Sequence, residues 1–193
     1  ICGYWKITDN VKHSYENHYK ELIPKTFDIL TNCNIVFFYD DEEVLADVKK
    51  AIKTKNIIYK KISIDSLKTY YLSNDYLETC KLQDNDKLRK INTIEEKGLV
   101  HYFREYKKSG EVSFRKIFTI WTSKLFLVNK IIDENPFNTN YFAWIDISAP
   151  RFNRDTRLYT QFYLPNKLYH FRSPMSYYGE KISTNASFLT AHK

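Results

Sequence analysis

The sequence has few cysteines, glycines and prolines and no long apolar run. Its three cysteines, Cys2, Cys33 and Cys80, are odd in number and lack CxxC spacing, which argues against a disulfide framework and a zinc site. Reduced thiols are typical of a cytoplasmic protein, which is the location we expect. With only 4 glycines and 5 prolines, collagen-like and linker-rich architectures are excluded. Apolar runs fall short of the roughly 20 residues that span a bilayer, so we expect no transmembrane segment.

Aromatic and basic residues are abundant. There are 16 Tyr and 13 Phe among 193 residues, and the formal net charge is +7. This charge predicts affinity for anions such as nucleotide diphosphates, nucleic acid, acidic glycans or a membrane surface, although solubility alone explains it equally well. The preference for Lys, Asn, Ile, Tyr and Phe indicates an A/T-rich genome, bacterial or viral.

The chain shows no repeat and no linker, so we expect one domain over residues 1–193. We expect it to be truncated at one or both ends, because it does not begin with Met and stops early for such a domain. Residues 2–8 are predicted to form a strand, and residues 14–30 a helix that Pro24 kinks or divides. The continuous apolar run Ile35–Tyr39 predicts a strand covered on both faces. A helix through Val44 and Val48 and a strand region within 57–64 follow.

The second half begins with short helices, one of them near residues 94–107 and stopped at Gly110. The next helix is predicted to start at Ser113 and to end before Asn135-Pro136. Its apolar stripe consists of Phe114, Ile117, Phe118, Trp121, Leu125, Val128, Ile131 and Ile132. Residues 141–146 form a further strand, and later strands are expected near 158–164, 167–171 and 181–189. The pattern predicts an α/β fold with a mixed, mostly parallel, Rossmann-like sheet flanked by helices.

Asp146 ends the strand at 141–146. Ligands of open α/β sheets bind at the carboxyl ends of strands, where a carboxylate can hold Mn²⁺ or Mg²⁺ against a nucleotide diphosphate. The alternative is that Asp146 only caps the following turn.

Three pieces of sequence resemble the HtrL/YibB-type proteins, which look like GT-A glycosyltransferases. They are Ile120-Trp121-Thr122-Ser123-Lys124, then Asn135-Pro136-Phe137, then Tyr141-Phe142-Ala143-Trp144-Ile145-Asp146. The resemblance covers residues 115–150 well and the N-terminal part loosely. It implies a GT-A-like fold and transfer of a sugar from a nucleotide-diphosphate donor, of UDP type, to a hydroxyl of a glycan or protein.

The resemblance also implies roles for individual residues. Asp146 matches the first position of the acidic motif that binds Mn²⁺ or Mg²⁺ and the donor, and Lys124 offsets phosphate charge. Trp121 would pack beneath the donor site one turn before Lys124, although simple core packing is the favoured interpretation of this residue. The chain has Asp146-Ile147-Ser148 instead of Asp-x-Asp, which places Ser148 beside the donor and leaves activity open. His192 is a candidate for completing the metal shell, or is simply solvated.

The ends of the first two strands supply further donor-binding candidates. Tyr4 and Lys6 are expected to form part of the wall for the base. Asp40 and Asp41 are expected to contact base or ribose, or alternatively to cap the next helix, as a capping box of Asp40 with Glu43.

Arg151 begins a segment that interleaves basic and aromatic residues up to position 172, which could border the donor cleft or bind nucleic acid. No nucleic-acid-binding motif accompanies it, which disfavours the second alternative. A catalytically degenerate, glycosyltransferase-like binding domain is the remaining alternative.

Overall fold

The computed structural model describes residues 1–8, 14–85, 94–151, 169–172, 176–177, 180–181 and 184–192. Its strands are β1 (Cys2–Tyr4), β2 (Ile35–Tyr39), β3 (Ile57–Lys61), β4 (Tyr141–Ile145), β5 (His170–Arg172), β6 (Ser176–Tyr177), β7 (Glu180–Lys181) and β8 (Thr184–His192). Its helices are α1 (Leu22–Ile29), α2 (Glu42–Ala51), α3 (Leu72–Asn85) and α4 (Ile94–Glu134). Short helical turns lie at Tyr15–Tyr19, Ile64–Ser66 and Ala149–Arg151.

The first three strands form a parallel sheet in the order β1-β2-β3. Gly3 of β1 pairs with Phe38, and Phe37 of β2 pairs with Tyr59 of β3. Each crossover between neighbouring strands contains a helix, α1 or α2, as parallel pairing requires. The alternation of strand and helix predicted for this part of the chain is confirmed.

A second sheet has the order β4-β8-β5, with both pairs antiparallel. Ile1 connects it to the first sheet, because its N–H donates to the Ala143 carbonyl (2.6 Å) and its carbonyl accepts from the Ile145 N–H (2.9 Å). One residue bonded in this way to both neighbours of Trp144 is the pattern of a parallel ladder. Ile1, the residue before β1, thus joins the two three-stranded sheets, and this contact arranges the strands in the order β3-β2-β1-β4-β8-β5, with β1 beside β4 and parallel to it.

Helices cover both faces of this sheet. Ile35, Phe37 and Tyr39 of β2 pack in one apolar cluster with α1 and α2, whereas Val36 and Phe38 pack in another with α4. Side chains along a strand alternate between faces, so a strand covered on both sides needs an uninterrupted apolar run. The prediction of a mixed α/β fold with helices around the sheet is confirmed.

Helix α4 is interrupted at Gly110, whose φ of 71° and ψ of 171° are not helical. The predicted stop at this glycine is therefore confirmed, although the next helix follows without a loop. The later part ends at Glu134, and Asn135 has a positive φ of 38°, as expected for a helix terminus. The predicted stripe is wrong at Leu125, which is 60% exposed, whereas Leu127 is buried.

Some predicted boundaries differ from the structure. β1 ends at Tyr4 rather than at residue 8, and β3 ends at Lys61. Pro24 does not kink a continuous helix. It lies in the first turn of α1, where its missing N–H needs no partner, and the break precedes it. The strand predicted near 158–164 lies outside the described residues.

Candidate functional site

The strand order marks one position at the carboxyl edge of the sheet. From β1 the chain continues to β2 and β3 on one side, whereas β4 lies on the other side, so the order reverses between β1 and β4. Ligands of open α/β sheets bind outside the carboxyl ends of strands at such a reversal. Lys6 follows β1 closely, Asp40 follows β2 and Asp146 follows β4, so all three lie at this edge.

Lys124 and Asp146 form an ion pair at this position. The Lys124 Nζ lies 2.7 Å from Oδ1 and 2.9 Å from Oδ2 of Asp146. The indole N–H of Trp144 also donates to Oδ1, at 2.6 Å. The Lys124 side chain is 9% exposed and that of Asp146 is 19% exposed. The pair is thus largely shielded from water, and the carboxylate is oriented by two donors from different elements.

The connection between α4 and β4 brings the two residues together. Asn135 and Asn138 have positive φ values and reverse the chain between helix and strand. Lys124 lies ten residues before the end of α4 at Glu134, a rise of about 15 Å. Asp146 lies five residues beyond the start of β4, a distance of about 17 Å. Because α4 packs against β4, both side chains reach the same height.

Lys124 occupies a position of α4 where the spacing calls for an apolar residue. Ile117, Ile120, Lys124, Val128 and Ile131 follow one another at intervals of three or four residues, which defines one face of a helix. Lys124 is only 7% exposed on this face. A lysine within a buried helical stripe is the sequence signal that a partner carboxylate must lie opposite.

The loop after β4 does not need the Asp146 side chain as a cap. The carbonyl of Asp146 accepts from the Ala149 N–H at 2.9 Å, which forms the turn through the backbone. The Thr26 hydroxyl donates to the Ile147 carbonyl at 2.5 Å and ties the loop to α1. Ser148 is 3% exposed, so this donor-binding candidate lies beneath the loop surface.

Asp41 caps α2. Its Oδ1 accepts from the N–H groups of Glu43 (2.9 Å) and Val44 (3.2 Å), so the predicted capping box of Asp40 with Glu43 is wrong by one residue. Asp40 instead accepts from the backbone N–H of Lys6 at 3.3 Å. The Lys6 ammonium pairs with Glu43 at 2.5 Å. The side chains of Asp41 and Lys6, both candidates for donor binding, are therefore occupied by local contacts beside the site.

A second lysine of α4 lies near the same edge. Burial raises the pKa of the Asp40 carboxyl, and the N–H of Lys6 and the positive charge of Lys116 partly oppose this rise. Within the described part of the chain, the half-buried Lys116 side chain makes no hydrogen bond or ion pair. It precedes Lys124 by eight residues, about 12 Å along the axis and about 80° around it. The sequence prediction missed Lys116, although this spacing could have identified it.

Tyr4 belongs to the core. It is 6% exposed, and its ring centroid lies 5.3 Å from that of Tyr15 and 4.9 Å from that of Tyr19. Burial raises the pKa of its hydroxyl far above the ordinary value. Trp121 is half-buried one turn before Lys124. Tyr4 is thus packed below the edge, whereas Trp121 remains partly accessible.

His192 does not join the other site residues. It pairs with Tyr141 at the start of β4, and the two rings make an edge contact with a centroid distance of 4.9 Å. Asp146 lies five residues further along β4, about 17 Å away, so one cation cannot bind both side chains. Arg151 ends the short helix Ala149–Arg151, and its side chain lies outside the described residues.

The donor set at Asp146 does not fit a preformed divalent metal site. Mg²⁺ and Mn²⁺ require several oxygen ligands, but both carboxylate oxygens accept from nitrogen donors. A divalent cation about 4 Å from the Lys124 ammonium would be repelled by about 8 kcal/mol at an effective dielectric constant of about 20. Among the described residues, no three His, Cys, Asp or Glu side chains form a group that could hold a metal.

A cavity of about 390 Å³ runs along β4, from Tyr141 and His192 at its amino end to Ile145 and Phe188 at its carboxyl end. Its wall is mainly apolar and contains neither Lys124 nor Asp146. We therefore place the candidate site at the carboxyl edge, where the oriented charged groups lie.

No protein-family model, curated protein or solved structure matches this chain. None of the helices in the described residues has both the length and the apolar character needed to cross a membrane.

Proposed function

We propose that this protein is a GT-A-like glycosyltransferase that binds a nucleotide-diphosphate sugar at the carboxyl edge between β1 and β4. The observation that carries the proposal is the shielded Lys124–Asp146 pair at the reversal of strand order. The resemblance to the HtrL/YibB-type proteins supports the same assignment, since Lys124 and Asp146 belong to the matching segments. We further propose a UDP-type donor, a glycan or protein acceptor and a cytoplasmic location, the last supported by three free thiols.

The chemistry we propose is electrostatic. The acceptor oxygen forms a bond to the anomeric carbon and loses its proton to solvent, while the bond from that carbon to the diphosphate breaks and the diphosphate leaves with the electron pair. Lys124 and Lys116 stabilise the negative charge that grows on the leaving diphosphate. Asp146 orients the Lys124 ammonium and offers its solvent-facing edge to hydroxyls of the donor sugar.

A thermal-shift panel tests donor binding. UDP, GDP, ADP and their sugars are each added at about 100 times their dissociation constant, which stabilises the native state by about 2.7 kcal/mol. For a chain of this size we expect Tm to rise by about 5–10 °C with the matching nucleotide. The rise should be smaller in Lys124→Met and Lys116→Met but unchanged in Lys130→Met, since Lys130 pairs with Glu134 at the far end of α4. If no nucleotide raises Tm, the proposal is wrong.

A binding domain without catalysis is the second candidate. The loop after Asp146 presents buried Ile147 and Ser148 where a second carboxylate would be expected. Release of UDP from a UDP-sugar, measured with and without a mixed glycan acceptor, distinguishes the two. Nucleotide binding with no release under either condition would favour the binding domain.

A further inference from the structure

The positive charge beside Asp146, at the end of β4, is the ammonium group of Lys124. The Lys124 ammonium contacts both oxygens of Asp146 at 2.7 and 2.9 Å, and Trp144 donates to one of them. These donors use three of the roughly four lone pairs of the Asp146 carboxylate, which leaves about one for a metal ion or a ligand hydroxyl. An ammonium group in the same place supplies a positive charge to an incoming phosphate.

We propose that Lys124 replaces the divalent cation of this site, so that nucleoside diphosphates bind there without Mg²⁺ or Mn²⁺. The inference rests on the proposed function and specifies the chemistry of its donor subsite. It departs from the metal-binding role that the resemblance implies for Asp146.

Lys116 supplies a second positive charge for the same ligand. Lysine side chains are long and flexible, so two ammonium groups two helical turns apart can converge on one diphosphate. Lys116 is half-buried and makes no ion pair within the described residues, so a ligand does not have to displace a partner. Two ammonium groups balance the charge that a divalent cation would otherwise neutralise.

The effect of replacing Asp146 on diphosphate affinity distinguishes this proposal from a metal site, because the two predict changes in opposite directions. If Asp146 held a metal, Asp146→Asn would abolish diphosphate binding. If Lys124 binds the diphosphate, the same substitution removes a negative charge from beside the ligand and releases the ammonium from its ion pair. Metal-free binding of UDP and pyrophosphate, which lack the donor sugar that Asp146 would contact, then becomes about 2- to 10-fold tighter.

The experiment is calorimetric titration of the full chain with UDP and with inorganic pyrophosphate, at constant ionic strength, in EDTA and then in Mn²⁺. We expect both probes to bind in EDTA and the affinity to change less than about threefold in Mn²⁺. Loss of a hydrogen bond to a charged group predicts that Lys124→Met weakens binding about 10- to 100-fold. Lys116→Met should weaken it as well, while Lys124→Arg retains most of the affinity and Lys130→Met is the matched control.

The other outcomes separate this inference from the proposed function. Binding that requires Mn²⁺ and disappears in Asp146→Asn overturns the inference and leaves a metal-dependent transferase. Metal-free binding that Lys124→Met does not weaken also overturns it, because the diphosphate then binds elsewhere. If neither UDP nor pyrophosphate binds under any condition, both proposals are wrong. Lys116→Met serves as the second variant, because Lys116 makes no ion pair with the residues that the structure describes and its replacement should leave the fold intact.

Discussion

Replacing the partners of the Lys124–Asp146 pair singly and together should show strong energetic coupling between them. Lys124→Met leaves a carboxylate that is 19% exposed beside the Trp144 N–H, and Asp146→Asn leaves an ammonium that is 9% exposed. Removing one partner of a buried ion pair destabilises a protein by about 3 kcal/mol or more, because the other charge stays shielded without its counter-charge. We expect about 3 kcal/mol for each single variant.

The double variant should be far less destabilised than the sum of the single variants. Replacing both charges leaves no unpaired charge, so we expect about 3 kcal/mol or less in place of about 6 kcal/mol. The coupling free energy is then about 3 kcal/mol, well above the roughly 0.5 kcal/mol within which independent substitutions add. In a chain of this size, each single variant should lower Tm by about 6–12 °C.

Urea unfolding followed by tryptophan fluorescence measures these free energies. The m-value must stay constant across the four proteins, since a change in m would indicate an altered denatured state. Lys130→Met serves as the control, because its exposed ion pair with Glu134 should contribute under about 1 kcal/mol. Additive single effects would refute the reasoning that these two side chains act as one unit.

Three further predictions concern the scaffold around the site. Asp41→Ala should destabilise the protein by about 1 kcal/mol in urea unfolding, while Asp41→Asn keeps the cap and changes little; equal losses would contradict the capping role. Gly3→Ala should lower stability by about 1–3 kcal/mol, because a Cβ at Gly3 lies 2.8 Å from the Trp5 ring; an unchanged Tm would show that the ring moves freely. Burial raises the pKa of the Cys2 thiol to about 11, so native Cys2 should resist iodoacetamide at pH 8 and react only after unfolding, as peptide mass spectrometry can detect.

The elements most closely predicted from the sequence are those fixed by burial. The run Ile35–Tyr39 matches β2 residue for residue. A strand covered on both faces is apolar at every position, so its first and last residues can be read directly from the sequence. The strand before Asp146 was predicted for the same reason, and its last residue differs by one position. The end of α4 at Glu134, directly before Asn135-Pro136, followed from local helix-stop signals.

Two kinds of feature were predicted less well: the choice between neighbouring residues of the same type, and contacts between residues far apart in the sequence. Asp40 and Asp41 both satisfy the local chemistry of a cap, and only the helix boundary decides between them. The sequence suggested that His192 shares a metal ion with Asp146, because the register of β4 and β8 cannot be read from the sequence. That register pairs His192 with the start of β4, one strand length away from Asp146. Lys124 and Asp146 were each identified, but their mutual ion pair depends on how α4 packs on β4.

The position of β1 inside the sheet has a consequence for synthesis of the chain. Its hydrogen bond from Ile1 to Ala143 spans 142 residues of sequence, so β1 acquires its second neighbour only after β4 has been made. Translation at about 5–20 residues per second takes about 4–16 s to cover the roughly 80 residues between β3 and β4. Throughout that interval the nascent parallel sheet presents an unpaired apolar edge, the kind of surface that recruits strands from other chains. Chaperone dependence should therefore be greatest for ribosome-bound chains that end between β3 and β4.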